Sequence, residues 1–304
     1  MVGRRFLGAG GSSIEAVRFA PLEPECKVIQ FGQPLSQNEL QIAGSLIHGR
    51  PDVELYVYGN ASRDLDFLRY FEDVRRLNLQ LYELEDISGL SHLRGRLEDL
   101  NFGKTRRTFS LRFLESLPTL KKLFIVGHRK DIGAVHGLHG LSSLGFSGIT
   151  LPDLAVVEPL AQLREFFLYL GGTRNLTSLQ RLPHLENLSM MRITKMSDLS
   201  ILRELESLKT LSLDWMRNVT SLPSFASLSR LKRVKLDTMK GLTNLSPIAA
   251  APALQRLTIG AMPQLDADSF RCLVGHPCLD ELYAYTGKKS TNEAVKRMFP
   301  GIAR

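Results

Sequence analysis

Residues 163–182 read LREFFLYLGGTRNLTSLQRL, and residues 185–205 read LENLSMMRITKMSDLSILREL. Each stretch opens Leu-x-x-apolar-x-apolar and breaks for a few residues. A small polar residue then leads into apolar residues spaced by three. Two such stretches in succession indicate a repeated structural unit, and the same pattern extends outward along most of the chain. Units start at Val53, Val74, Leu97, Leu120, Leu141, Leu163, Leu185, Leu208, Leu231, Leu254 and Leu279, about 21 to 25 residues apart.

The first half of each unit predicts a short strand. Its fourth and sixth places are apolar: Tyr56/Tyr58, Leu77/Leu79, Leu100/Phe102, Leu123/Ile125, Leu144/Phe146, Phe166/Leu168, Leu188/Met190, Leu211/Leu213, Val234/Leu236, Leu257/Ile259 and Leu282/Ala284. A period of two puts both side chains on one face. The second half carries apolar residues three apart, as in Leu65/Leu68/Phe71, Leu154/Val157/Leu160 and Leu199/Leu202/Leu205. That spacing suits a 3₁₀ turn, whose side chains align every third residue. Before these runs stand Asp64, Ser110, Asp131, Asp153, Asn175, Asp198, Ser221 and Asn244, short polar residues able to accept the unpaired amides of a first turn. A proline stands two residues ahead of several units, at Pro51, Pro118, Pro183, Pro252 and Pro277.

The chain has 304 residues, 43% hydrophobic and 23% charged, enough apolar material for a continuous core. The net charge of +8 suits nucleic acid, an anionic membrane surface or an acidic protein, and does not choose among them. Its basic residues come in twos and threes, with no long run. The three cysteines, Cys26, Cys272 and Cys278, are too few for a disulfide framework and are expected as reduced, mostly buried thiols. Arg4-Arg5-Phe6-Leu7 lacks the hydrophobic stretch of an export signal, and no segment is long or apolar enough to span a bilayer. A cytoplasmic protein without membrane insertion is expected.

With these positions in place, the chain resembles the leucine-rich repeat superfamily, in the short-repeat type of about 22 residues found in phosphatase-regulator-like and internalin-like proteins. The resemblance covers roughly residues 53–285. It implies an α/β solenoid, curved, with a parallel sheet on the concave face and short 3₁₀ or α turns on the convex face. The superfamily's ninth-place asparagine is replaced here by Tyr82, Thr105, His128, Ile149, Gly171, Ile193, Met216, Met239 and Met262. Apolar packing is expected in place of the asparagine ladder.

The ends differ from the repeats. Residues 1–13 read as a flexible leader and 14–50 as an N-terminal cap, with strands around Ile14–Phe19 and Cys26–Phe31. A Ser36-x-x-Glu39 capping box there opens a helix that stops near Gly49. Repeats occupy 51–285. Residues 286–304 form a C-terminal cap with a short amphipathic helix over Glu293–Phe299.

In the fold implied by the resemblance, places three, five and seven face solvent on the concave side, and place eight lies at its rim. Phe124, Phe167, Tyr169, Met191 and rim residue Trp215 then form an apolar-aromatic patch, with a shallow dip at Ser143, Gly145 and Ser147. Asp214, Arg233, Lys235, Asp237 and Arg256 make a charged strip beside it, and Lys122 and Tyr283 extend the surface. Aromatic and arginine anchors in a polar frame are the composition of a protein-binding hot spot; the alternative is rings that merely pack on one another. No phosphate-binding glycine loop, nucleophile elbow or paired Cys-x-x-Cys occurs, and His128, His136 and His139 lack evident partners for a metal. The sequence therefore predicts a non-enzymatic, cofactor-free scaffold that binds a protein partner, as an inhibitor, immunity or regulatory protein. Nucleic-acid binding through the basic surface is the alternative, with an enzyme behind it.

Overall fold

Leucines on a period of two can be buried only if each strand lies beside another of its kind, and that is how the repeats are satisfied. In the computed structural model, residues 3–7 and 22–303 are described. The chain divides into two compact units, residues 1–142 and 143–304. The first holds strands β1 (Gly3–Phe6), β2 (Cys26–Phe31), β3 (Glu54–Tyr58), β4 (Arg76–Gln80), β5 (Asp99–Phe102) and β6 (Lys122–Val126), each parallel to the one before it. The second holds β7 (Ser143–Ser147), β8 (Glu165–Tyr169), β9 (Asn187–Met191), β10 (Thr210–Asp214), β11 (Arg233–Asp237), β12 (Arg256–Gly260) and β13 (Glu281–Tyr285), paired in the same way.

Within the second unit the register never slips. Phe166, Leu188, Leu211, Val234, Leu257 and Leu282 align across six strands. Each is at most 2% exposed. Burying one such leucine fully contributes about 1.5–3 kcal/mol, so the aligned rows hold the coils in register.

The return half of most coils is a 3₁₀ turn, for example Leu111–Ser116, Thr177–Arg181 and Ser200–Glu204. The polar residue before it caps it by accepting the amide two residues on. Asp153 Oδ1 accepts Ala155 N at 3.0 Å, Asn175 Oδ1 accepts Thr177 N at 2.8 Å, and Asp198 Oδ1 accepts Ser200 N at 2.8 Å. Two expected caps differ. Ser221 gives way to Ser224, whose Oγ accepts Ala226 N at 3.4 Å. Asp131 instead accepts the Ser110 hydroxyl at 2.5 Å and has a left-handed backbone, φ +57°.

At the ninth place Ile193, Met216, Met239 and Met262 are fully buried, so apolar packing does replace the asparagine. His128 does so by hydrogen bonding. Its ring stacks on Phe102 at 4.5 Å, Nδ1 accepts Phe109 N at 3.2 Å, and Nε2 lies 3.1 Å from the Gly103 carbonyl. Tyr82 is the exception, 53% exposed.

Helix α1 (Gln37–Ile47) begins with the expected capping box. Ser36 Oγ accepts Glu39 N at 3.3 Å, and Glu39 Oε2 accepts Ser36 N at 2.6 Å. A single α turn, α2 (Ser246–Ala249), replaces the 3₁₀ turn of one coil. The last helix, α3 (Lys289–Met298), starts four residues earlier than the sequence predicts and buries Thr291 and Val295. The expected leader is not wholly without structure, because Gly3–Phe6 pair with β2. The expected strand at 14–19 lies outside the described residues.

The structure corrects two further readings. In β3 the buried residues are Leu55 and Val57, whereas Tyr56 and Tyr58 lie on the other face with rings stacked at 5.0 Å. The first unit therefore starts at Asp52, one residue before Val53, and a slip of one reverses every side chain. Of the cysteines only Cys26 is buried; Cys272 and Cys278 are exposed free thiols.

Candidate protein-binding face

Residues that alternate with the buried ones form an open face, and strand pairing decides which of them meet. In the second unit one row runs Phe167, Ser189, Ser212, Lys235, Thr258, Tyr283, and the next runs Tyr169, Met191, Asp214, Asp237, Gly260, Tyr285. Neighbouring strands lie about 4.8 Å apart, so Tyr169, Met191 and Asp214 are direct neighbours. The rings of Phe167 and Tyr169 are 6.1 Å apart, and the Tyr169 hydroxyl donates to Ser189 Oγ at 3.2 Å, laying the ring toward β9. Phe167, Tyr169 and Met191 are all half-buried. Of the residues of the expected dip, Gly145 and Ser147 are buried and Ser143 is half-buried.

The charged strip splits into two groups. Asp214 and Asp237 stand side by side at the ends of β10 and β11. Asp237 accepts the Thr238 hydroxyl at 2.7 Å and uses space that a Cβ at Gly260 would take, its Oδ2 lying 2.4 Å from that point. Asp214 Oδ1 is buried without a hydrogen-bond partner. Burial, and then repulsion from Asp237, push the Asp214 carboxyl above the usual carboxylate range, against the attraction of Lys235. Arg233 and Lys235 project into solvent. Arg256 and Tyr283, by contrast, converge on Glu281, at 2.6 and 3.1 Å. They have an internal role that the sequence did not announce.

Lys122 and Phe124 belong to the first unit, where they align with Asp99 and Asn101. Burial holds the Asp99 carboxyl above its ordinary value, with Arg76 and Lys122 opposing. The same open face carries the stacked Tyr56 and Tyr58 and an amide ladder. Gln80 Nε2 donates to Asn78 Oδ1 at 3.0 Å and to Asn101 Oδ1 at 3.4 Å. The two tyrosines were hidden by the register slip; the Leu55/Val57 alternation is the signal that could have found them.

A row at the strand ends was also missed. Leu170, Arg192, Trp215, Thr238 and Ala261 hold the place just after consecutive strands, and all have left-handed backbones, φ +46 to +55°. Their amides donate to the last carbonyl of the next strand, as from Leu170 N to Met191 O at 2.8 Å and from Trp215 N to Asp237 O at 2.9 Å. Glycine fills this place at Gly59, Gly127 and Gly148, which is the sequence signal. Trp215 is 39% exposed, with the guanidinium carbons of Arg192 and Arg217 over its ring at 5.3 and 5.5 Å from the centroid.

Among the described residues no group of three or more His, Cys, Asp or Glu side chains could hold a metal ion, and no helix is long and apolar enough to cross a membrane.

Strand, left-handed exit, 3₁₀ return and buried ninth place together define a leucine-rich repeat fold. Among solved structures, an internalin from Listeria monocytogenes has this fold with a TM-score of 0.56, at 21% identity over 88% of this chain and 81% of its own. A leucine-rich repeat protein from Leptospira interrogans gives a TM-score of 0.52, at 17% identity over 93% of this chain and 92% of its own. No family model matches the chain, and no curated protein sequence matches it. At these identities the likeness is one of fold.

Proposed function

We propose that this protein is a non-enzymatic interaction module that binds a protein partner on the open face of its strands. Phe167, Tyr169, Met191 and Trp215 are the anchors, and Asp214, Arg233, Lys235 and Asp237 frame them. Lys122 and Phe124 offer similar chemistry in the first unit. The carrying observation is a half-exposed aromatic and thioether cluster, fixed on strands of unbroken register, next to charges that form no ion pair among the described residues. Rigid anchors of this kind bind with little ordering entropy. Arg256 and Tyr283, engaged with Glu281, serve the frame rather than the contact. An inhibitor, immunity or regulatory role in the cytoplasm is the finer reading, by analogy of fold. In it β2 and α1 belong to an N-terminal cap of residues 14–50, the repeats fill 51–285, and α3 lies in a cap of 286–304.

The test is capture from nuclease-treated lysate, comparing the wild type with a Phe167→Ala/Tyr169→Ala/Trp215→Ala variant of matched fold by circular dichroism. A protein retained by the wild type and lost from the variant is the expected result. Equal retention by both would move the contact off this face.

A further inference from the structure

Charges at the two edges of the strands are arranged differently. At the edge where strands start, they are neutralised from coil to coil. Glu98 takes Arg75 at 2.8 Å and Lys121 at 2.7 Å, and Glu186 takes Arg164 at 2.8 Å and Lys209 at 3.0 Å. At the edge where the second unit's strands end, the turns read LGGTR (170–174), RITK (192–195), WMRN (215–218), TMKG (238–241) and AMPQ (261–264). They contain Arg174, Arg192, Lys195, Arg217 and Lys240 and no carboxylate. All five are exposed, and among the described residues none forms an ion pair.

Apolar surface is set among these cations. Leu170 is 47% and Trp215 39% exposed. The two guanidinium groups over the indole are restricted by cation–π attraction, and both arginines are exposed to solvent. Backbone conformation adds an independent argument. Leu170, Arg192 and Trp215 all adopt left-handed φ, at +55, +53 and +54°. Glycine takes that conformation without penalty, and at Gly148 it does so at the same place in the repeat. Thr238 and Ala261 share the conformation, so side chains are retained at five adjacent coils against a backbone penalty, and the large ones among them are Leu170, Arg192 and Trp215.

We propose that this edge binds an acidic polypeptide segment that also carries apolar side chains, with carboxylates on Arg192 and Arg217 and apolar groups on Leu170 and Trp215. Paired guanidinium forks match carboxylates bidentately. Asp214 and Asp237, one residue inward, repel carboxylates and so direct the segment's acidic side chains to the edge, leaving the open-face anchors to the rest of the partner. A nucleic-acid strand fits less well. Its bases need an uncovered ring for stacking, the indole face is occupied by arginine, and a phosphodiester chain leaves Leu170 bare. This proposal rests on the interaction-module reading and names the partner's chemistry.

The experiment uses the full chain at physiological ionic strength, where weak surface attractions are screened. Probes are labelled peptides repeating Glu-Glu-Leu or Lys-Lys-Leu, and an oligothymidylate of matched charge, followed by fluorescence polarisation and by emission of Trp215, the only tryptophan. The Glu-Glu-Leu peptide is expected to bind at least about tenfold more tightly than either other probe. Arg192→Gln/Arg217→Gln is expected to weaken it by a similar factor, with Arg181→Gln, on an exposed 3₁₀ return turn, leaving it unchanged. Oligothymidylate binding as tightly as the acidic peptide would overturn the proposal in favour of nucleic acid. Absence of acidic-peptide binding, or an arginine variant that binds like the wild type, would overturn it outright. Lysate capture intact with peptide binding absent removes this inference alone. The reverse outcome removes the open-face reading alone.

Discussion

Gly148 and Ala261 occupy the same place in their coils, and opposite substitutions there should move stability in opposite directions. Gly148 has φ +66° with nothing within 4 Å of an added Cβ, and its amide donates to Tyr169 O at 2.9 Å. Gly148→Ala therefore meets no steric obstacle, and only the backbone responds. Left-handed conformation costs an L-residue about 1–2 kcal/mol, and the stiffer unfolded chain returns about 0.4–1 kcal/mol. The net is a loss of roughly 0.5–1 kcal/mol. Ala261, exposed at φ +46°, makes the equivalent hydrogen bond to Tyr285 O at 2.8 Å. Ala261→Gly should raise stability by a similar amount of about 0.5–1 kcal/mol. Urea midpoints read both, with unchanged slopes showing that the exposed surface on unfolding is the same. Shifts in the same direction would refute the assignment of a shared left-handed exit.

Three further outcomes follow from the geometry. Burial holds the His128 imidazole below its ordinary 6.5, a weaker pull from the Gly103 carbonyl opposing. Its contribution is thus complete above pH 6.5 and lost as pH falls toward the depressed folded value. Urea midpoints should drop more between pH 7.5 and 5 for the wild type than for His128→Gln, by the proton linkage of about one site; parallel curves would contradict this. Asp214, with its folded value raised, gives stability below its ordinary 3.8 that is lost as pH rises through that raised value. Asp214→Asn should therefore be more stable than wild type at pH near 7 and lose that advantage in acid, and a less stable variant at neutral pH would count against the Asp214–Asp237 repulsion. Leu211→Ala, in a fully buried row, should destabilise by about 2–5 kcal/mol in the same urea assay. A much smaller effect would mean that neighbouring coils do not depend on the aligned leucines.

Most of the architecture was legible because it rests on spacing. Leucines at periods of two and three cannot be satisfied otherwise, and strands and 3₁₀ turns fall where those periods place them. The slip at Val53 shows the weak point. Val53, Leu55 and Val57 are all buried, yet Tyr56 and Tyr58 are apolar enough to match the template one residue off. Only the pairing of Leu55 with Leu77 decides the matter. Conformation at the strand ends was less legible, since Leu, Arg, Trp, Thr and Ala carry no left-handed preference; tertiary hydrogen bonds impose it. Ion pairing was invisible for a different reason. Arg164, Glu186 and Lys209 are far apart in sequence and meet only when the coils stack. The same stacking separates Arg256, tied to Glu281, from the exposed Arg233 with which the sequence had grouped it.

Site-directed photocrosslinking tests the central claim most directly. A photoreactive side chain is placed at Ser189, half-buried on the open face beside Tyr169, and separately at Arg181, exposed on a 3₁₀ return turn. After irradiation in source cells, a protein adduct from position 189 and none from position 181 is the predicted result. An adduct from position 181 alone would place the partner on the return turns and contradict the open-face assignment.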